Sequence, residues 1–173
     1  MQVRIRHNYT TALTSWERFS KDQRRIVQKL AADLYAIKKE TEQTAIALGY
    51  SHACRTSIEI CRGECCRWHF PKTFNEGDFL AIIGSLTEAE RDDLSHRILG
   101  SDSQSGQCIL LMPDGCFLSF RSRPMVCTNA YPCFASRAYW EIKEAGNHRS
   151  KPFFKDLSNL ILTSGQHQTG YSQ

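Results

Sequence analysis

Three cysteines stand within six positions of the sequence, between residues 61 and 66. Cys61, Cys65 and Cys66 form a C-x3-C-C pattern, and Gly63 allows a tight backbone turn between the first two. Thiolates this close are soft ligands that can share one metal ion or one cluster. Because neighbouring side chains of an extended segment point to opposite faces, Cys65 and Cys66 indicate two sites or one multinuclear site. The alternative is that the pair is incidental, with one thiol buried and one spare.

The sequence contains eight cysteines in 173 residues, an even number that would also suit disulfides in a secreted protein. The first ten residues, however, lack the apolar core and cleavage site of a signal peptide. No apolar run approaches the roughly 18 residues of a membrane span. We therefore expect a cytoplasmic protein with no membrane partner, in which clustered thiols bind metal. The candidate metal ligands are Cys54, Cys61, Cys65, Cys66, Cys108, Cys116, Cys127 and Cys133.

One long amphipathic helix is predicted over residues 20–48. Apolar side chains recur there at helical spacing, with Ser20 placed to cap the N-terminus and Gly49 to end the helix. Acidic residues interleave with the basic ones on its polar face, which favours a solvated surface over a docking surface for an acidic partner. The basic residues of this face are Arg24, Arg25, Lys29, Lys38 and Lys39.

Shorter elements are predicted before and after this helix. Val3 and Ile5 alternate with polar residues, a pattern that suits a short strand. Residues 75–99 have the pattern of two short helices, the second opened by a capping box at Thr87-Glu-Ala-Glu90 and ended by Gly100.

A β-hairpin is predicted around the turn sequence Pro-Asp-Gly at residues 113–115, with strands at 107–112 and 116–120. One cysteine lies on each strand. Around so tight a turn Cys108 and Cys116 do not face each other, and their thiols would lie on the order of 10 Å apart. The two cysteines therefore serve different sites unless the turn is wider.

The C-terminal part predicts two closing helices, at residues 136–145 and 151–162, with Ser150 as the cap of the second. Residues 164–173 are expected to be a disordered tail. The fold class is thus mainly α with a small β-hairpin, an α+β single domain over residues 1–163 that is organised around a cysteine-rich metal-binding region.

Together these motifs resemble the YkgJ-like cysteine-cluster family, of the CxxCxxCC type and described as zinc- or iron-chelating. The resemblance covers roughly residues 54–133. It rests on the C-C pair, on one cysteine before and one after the hairpin turn, and on an aromatic-x2-Arg-Pro-x2-Cys element. The matching residues here are Cys65, Cys66, Cys108, Cys116, Phe120, Arg123, Pro124 and Cys127.

The opening of the motif departs from the family pattern C-x2-C-x2-C-C. Three residues separate Cys61 from Cys65, and Ile58 stands where the family has its first cysteine. Cys54 would take that role over a longer loop, while Cys133 falls outside the pattern. The resemblance therefore ranks Cys54 and Cys133 below the other candidate ligands.

The resemblance implies a cytoplasmic protein that holds zinc or an iron–sulfur cluster, with a metal ion as its partner. The alternative is an iron–sulfur-dependent enzyme of electron or group transfer, which includes protein modification, by resemblance to the flagellin lysine methylases. His69, Arg121 and Arg123 are the candidate polar groups beside such a cluster. A net charge of only +4 and the lack of zinc-finger helix spacing argue against a nucleic-acid partner. The sequence leaves a protein partner open.

The cysteine segments carry two structural expectations. A tetrahedral metal needs four ligands, and residues 61–66 alone offer an awkward set, so we expect them to converge with residues 108–127. Residues 50–73 and 106–133 are also expected to have little besides metal to hold them in place.

Overall fold

The structure is a computed structural model, and it describes residues 2–50, 74–100, 108–113, 115–129 and 136–166. Within these residues the chain is mainly helical with one small antiparallel hairpin, as the sequence predicts. The helices are α1 (Gln2–Arg18), α2 (Lys21–Ala47), α3 (Glu76–Ser85), α4 (Glu88–Gly100), α5 (Met125–Asn129) and α6 (Arg137–Gln166); the strands are β1 (Leu111–Met112) and β2 (Gly115–Cys116). No helix in these ranges is both long and apolar enough to cross a membrane.

Helix α3 lies at the centre of the domain and packs against α1, α2 and α6. Its residues are buried on nearly every side, because its sequence is apolar around most of its circumference. Helices α1, α2, α4 and α6 each contribute an apolar stripe to the same core. The connection between α4 and α5 also enters this core, through Ile109, Leu110 and Leu118.

The N-terminal segment is a helix, so the predicted strand at Val3 and Ile5 is wrong. Ile5, Tyr9 and Trp16 are buried and lie at helical spacing, which forms a stripe against the core. The stripe is fixed by two polar contacts. Asn8 Nδ2 donates to the Phe74 carbonyl at 2.7 Å, and the Tyr9 hydroxyl lies 2.6 Å from Ser95 Oγ. Burial of the helical face therefore outweighs the local alternation.

The predicted helix caps of α2 and α4 are confirmed. Ser20 Oγ accepts from the Gln23 amide, and the Gln23 side chain accepts from the Ser20 amide, which completes a capping box. Gly49 follows α2 with φ of 85°, a left-handed conformation that glycine adopts without strain. Glu90 and Thr87 form the corresponding box at α4.

The C-terminal region is one continuous helix of 30 residues, not two helices separated near Ser150. Ser150 is buried and its hydroxyl donates to the Asn147 carbonyl one turn earlier, so it is an interior residue and not a cap. Pro152 stands inside α6, and the helix continues through it because the buried stripe resumes at Leu157 and Ile161. α6 extends to Gln166, beyond the predicted start of the tail at residue 164; residues 167–173 lie outside the described residues.

The hairpin is shorter than predicted, with only two residues in each strand. Leu111 pairs with Cys116 and Met112 with Gly115, so the residue opposite Cys116 is Leu111. A backbone turn precedes the first strand, because the Leu111 amide donates to the Cys108 carbonyl at 3.0 Å. Cys108 therefore lies in a turn and not in a paired strand. The predicted distance between the Cys108 and Cys116 thiols assumed that both lie in paired strands, so it does not apply.

A buried ion pair joins α2 to α6. Lys143 Nζ lies 2.7 Å from Glu42 Oε2, and the exposed fractions of the two side chains are 2% and 11%. The ammonium also lies 5.2 Å from the centre of the Tyr139 ring. Removing one partner of such a pair leaves an uncompensated buried charge, so the contact fixes how these two helices pack.

The close approach of α2 and α3 gives the first prediction. A Cβ atom added at Gly84 would lie 2.7 Å from Val27 Cγ1 and 3.3 Å from the Val27 carbonyl oxygen. Because both helices carry further core contacts there, we expect Gly84→Ala to lower the free energy of unfolding by about 1–3 kcal/mol. Urea unfolding followed by circular dichroism measures the loss.

Gly100→Ala is the matched control, because a Cβ atom there would meet nothing within 4 Å. It should leave the free energy of unfolding nearly unchanged. Equal losses in the two variants would contradict steric contact as the cause.

Candidate metal centre

Three of the eight candidate ligands lie in the part of the chain that the structure describes: Cys108, Cys116 and Cys127. Cys108 is buried and the other two are half-buried, and all three pack against the hydrophobic core. The segment that carries them runs continuously from the turn before β1 to helix α5, apart from Asp114. Cys54, Cys61, Cys65, Cys66 and Cys133 lie outside the described residues, so their expected convergence with residues 108–127 stays a prediction.

Arg97 of α4 holds the hairpin end of this segment. Its Nε donates to the Ile109 carbonyl at 2.8 Å, and one terminal nitrogen donates to the Leu111 carbonyl at 3.0 Å. The guanidinium carbon lies 5.5 Å from the centre of the Phe117 ring, within cation–π range. The Phe117 amide in turn donates to the Leu110 carbonyl at 2.8 Å. One cation therefore fixes the backbone between Cys108 and β1.

Lys38 of α2 holds the other end. Its Nζ donates to the carbonyls of Phe120, Arg121 and Arg123 at 3.0, 2.7 and 2.6 Å. A protonated ammonium has three N–H donors, so these carbonyls use all of them. The nitrogen also lies 5.7 Å from the centre of the Phe120 ring and 5.9 Å from that of Tyr35. The segment that leads into Cys127 is thereby hydrogen-bonded to the buried face of α2.

Cys127 and Arg123 both affect the charge of the buried Lys38 side chain. Burial lowers the pKa of Lys38 to about 7, the attraction of Cys127 raises it, and the repulsion of Arg123 lowers it further. Cys127 thus lies within electrostatic range of Lys38. A thiol beside cationic groups is stabilised as the thiolate, which is the form that binds metal. The Cys127 amide donates to the Pro124 carbonyl at 3.0 Å, which fixes the start of α5.

Lys38 was predicted to belong to the solvated basic face, and that assignment is wrong. It is only 4% exposed, while Arg25, Lys29 and Lys39 are exposed as expected. The signal was present in the sequence, since position 38 lies four residues after Leu34 and seven before Ala45, on the apolar stripe of α2. A lysine on such a stripe indicates a buried cation that has acceptors elsewhere in the chain.

The residues proposed as polar groups beside a cluster have different surroundings. Arg123 Nε donates to the Leu118 carbonyl at 2.9 Å, which gives it a structural role in the segment. Arg121 is exposed, and His69 lies outside the described residues. A cavity of about 20 Å³ lies between this segment, α2, α3 and α6, with Lys38 and Asp78 in its wall. Such a volume accommodates about one water molecule and no larger ligand.

Residues at the borders of two cysteine-bearing connections contact each other. Tyr50 is the last described residue before the gap at 51–73, and Ser136 is the first after the gap at 130–135. Their hydroxyls are hydrogen-bonded, and the Tyr50 ring packs edge-on against Tyr139 with centres 5.1 Å apart. The chain therefore enters the first connection close to where it leaves the last one.

The described thiols alone are not a complete metal site. Within the described residues, no group of three or more histidine, cysteine, aspartate or glutamate side chains is placed to hold a metal ion. The donor chemistry fits a soft metal such as zinc or iron, because the candidate ligands on this segment are thiols. A four-ligand site would therefore need further ligands from residues 51–73, where His52 or His69 could replace one thiolate, or from Cys133. The expectation that little besides metal holds this segment is not met for residues 108–127, which Arg97, Lys38 and the core all fix.

Comparison of the chain with protein families, with curated proteins and with solved structures finds no match in any of the three.

Asp78, in the cavity wall, provides a prediction on pH. Burial raises the pKa of Asp78 to about 6, and its hydrogen bond from the Asn75 amide opposes that rise. Because the folded pKa exceeds the usual value of 3.8, the contribution of Asp78 to stability is complete below that value and is lost as pH rises through about 6. Asp78→Asn keeps an oxygen for the Asn75 amide, so we expect it to raise the free energy of unfolding by about 2 kcal/mol at about pH 8 and by little at about pH 4. Urea unfolding at both pH values measures the difference.

Glu90→Gln is the control for this measurement. Glu90 occupies the same capping-box position at α4 but is fully exposed, and hydrogen bonds from Thr87 lower its pKa. Its contribution is present above the ordinary pKa of glutamate and is lost in acid, so Glu90→Gln should lower stability at neutral pH and not raise it. A gain in both variants would show that the effect of Asp78→Asn is not due to a buried carboxylate.

Proposed function

We propose that this protein is a cytoplasmic cysteine-cluster metal-binding protein that holds zinc or an iron–sulfur cluster, in the manner of the YkgJ-like family it resembles. The observation that supports it best is the setting of Cys108, Cys116 and Cys127. They stand on one short segment whose backbone carbonyls accept hydrogen bonds from Lys38 and Arg97. Cys127 also lies within electrostatic range of Lys38, whose positive charge would offset the negative charge of a metal–thiolate group.

The remaining ligands in this proposal come from residues 51–73 and Cys133. The contact between Tyr50 and Ser136 supports it, because it brings together the start of the first connection and the end of the last. Cys54 follows Tyr50 by four positions and Cys133 precedes Ser136 by three. Eight thiols suffice for two four-thiolate sites, or for one cluster with four thiols to spare.

An iron–sulfur-dependent enzyme is the other function that the sequence indicates. Such an enzyme needs a pocket of convergent polar groups beside the cluster. The cavity beside Lys38 and Asp78 accommodates only about one water molecule, so this cavity does not favour an enzyme. Metal binding without assigned catalysis is therefore the function that we propose.

Metal analysis of untagged protein purified without air tests the proposal. We expect a tightly bound metal in stoichiometric amount, with broad visible absorption if the site is an iron–sulfur cluster and a colourless protein if it is zinc. Metal-free protein that takes up neither zinc nor iron with sulfide, and whose thiol reactivity is unchanged by their addition, would contradict it.

Cysteine-to-serine variants rank the ligands. Serine replaces a thiolate by a harder, protonated oxygen, so metal content should fall sharply where a ligand is lost. We expect large losses for Cys61, Cys65, Cys66, Cys108, Cys116 and Cys127, and smaller ones for Cys54 and Cys133. If Cys133→Ser empties the site as completely as Cys65→Ser, the ranking is wrong.

A further inference from the structure

Two cations on different helices bind the backbone of the one described segment that carries cysteines. Lys38 of α2 and Arg97 of α4 together donate hydrogen bonds to five carbonyl groups between residues 109 and 123. Each cation also lies against an aromatic ring from the same segment, Phe120 and Phe117 respectively. Each cation therefore contacts both the backbone and an aromatic ring of this segment.

The contacts divide the segment into two halves. Arg97 binds the carbonyls of Ile109 and Leu111, which directly follow Cys108, and Leu111 pairs with Cys116. Lys38 binds carbonyls of residues 120–123, which precede Cys127. Each half thus has its own cation. Leu118, which lies between the two halves in sequence, is buried.

We propose that Lys38 and Arg97 are positioning residues of the metal site: Lys38 holds Cys127, and Arg97 holds Cys108 and Cys116, in their places before metal binds. This inference rests on the proposed metal-binding function. Its physical basis is preorganisation, because ligands that are already ordered lose less conformational entropy on binding. Carbonyl groups that point at an ammonium or guanidinium also fix the backbone from which each thiol projects.

The binding of cobalt(II) to metal-free protein under anaerobic conditions tests the positioning role. We expect Lys38→Met and Arg97→Met each to weaken cobalt binding about 10- to 100-fold, the usual effect of removing groups that orient metal ligands. At saturating cobalt the intensity of the sulfur-to-cobalt charge-transfer band should also fall, because a misplaced thiolate leaves the metal. A residue that only stabilises the fold would leave the saturated spectrum unchanged.

Lys143→Met is the matched control. It removes another buried ammonium from the same domain, one that binds Glu42 and makes no hydrogen bond to the described residues of 108–127. It should lower stability without changing the saturated cobalt spectrum. Lys38→Gln, whose amide still donates two hydrogen bonds, provides a milder variant should Lys38→Met fail to fold. If Lys143→Met and Lys38→Gln alter affinity and spectrum alike, the positioning role is overturned.

Amide hydrogen exchange of the metal-free variants tests the division into halves. Lys38→Gln should speed exchange in residues 120–127 and spare 109–117, and Arg97→Met should do the reverse. Exchange that rises equally in both halves with either variant would overturn the division. If the unaltered protein binds neither cobalt nor zinc and forms no cluster from iron and sulfide, the proposed function itself fails. Normal metal binding by all variants is a distinct result, which would overturn the positioning role alone.

Discussion

The arrangement of this domain depends on two charged side chains that stand one helical turn apart on the buried face of α2. Lys38 is satisfied by the backbone carbonyls of Phe120, Arg121 and Arg123. Glu42 is satisfied by the ammonium of Lys143 on α6. A buried charge without its partner costs several kcal/mol, so these contacts cannot be given up separately from the packing around them. The same face of α2 thereby fixes the position of the closing helix and of the connection that leads to Cys127.

Local signals predicted the parts of the fold that depend on local contacts. The capping boxes at Ser20 and Thr87 and the left-handed Gly49 involve residues within a few positions of each other, so the sequence alone identifies them. The errors came where distant burial decides. Val3 and Ile5 alternate like a strand, yet the stripe that packs on α3 runs through Ile5, Tyr9 and Trp16. Ser150 was expected to cap a second closing helix, yet α6 is continuous and buries side chains on both sides of Ser150.

The candidate site, like the fold, could be predicted from the sequence only in part. Cysteine spacing indicated which residues could bind metal, because ligand chemistry is a property of residue type. The groups that hold those residues could not be predicted from spacing, since Lys38 lies 82 to 85 positions from the carbonyls that it binds. Arg97 is 12 and 14 positions from its own acceptors and carried no motif. Only the placement of Lys38 on an apolar stripe indicated that its charge is buried.

The use of cations follows from the backbone of the segment itself. Buried carbonyls need hydrogen-bond partners, and two-residue strands satisfy very few of them. Longer paired strands would satisfy more of these carbonyls but would impose strand geometry on the cysteines. Side-chain donors from α2 and α4 satisfy the carbonyls and leave the backbone of the segment irregular. Small zinc-finger domains are unfolded without metal because nothing else orders their ligands. Here the helices already order three of the thiols, so a metal bound to them would add to a fold that the helices establish.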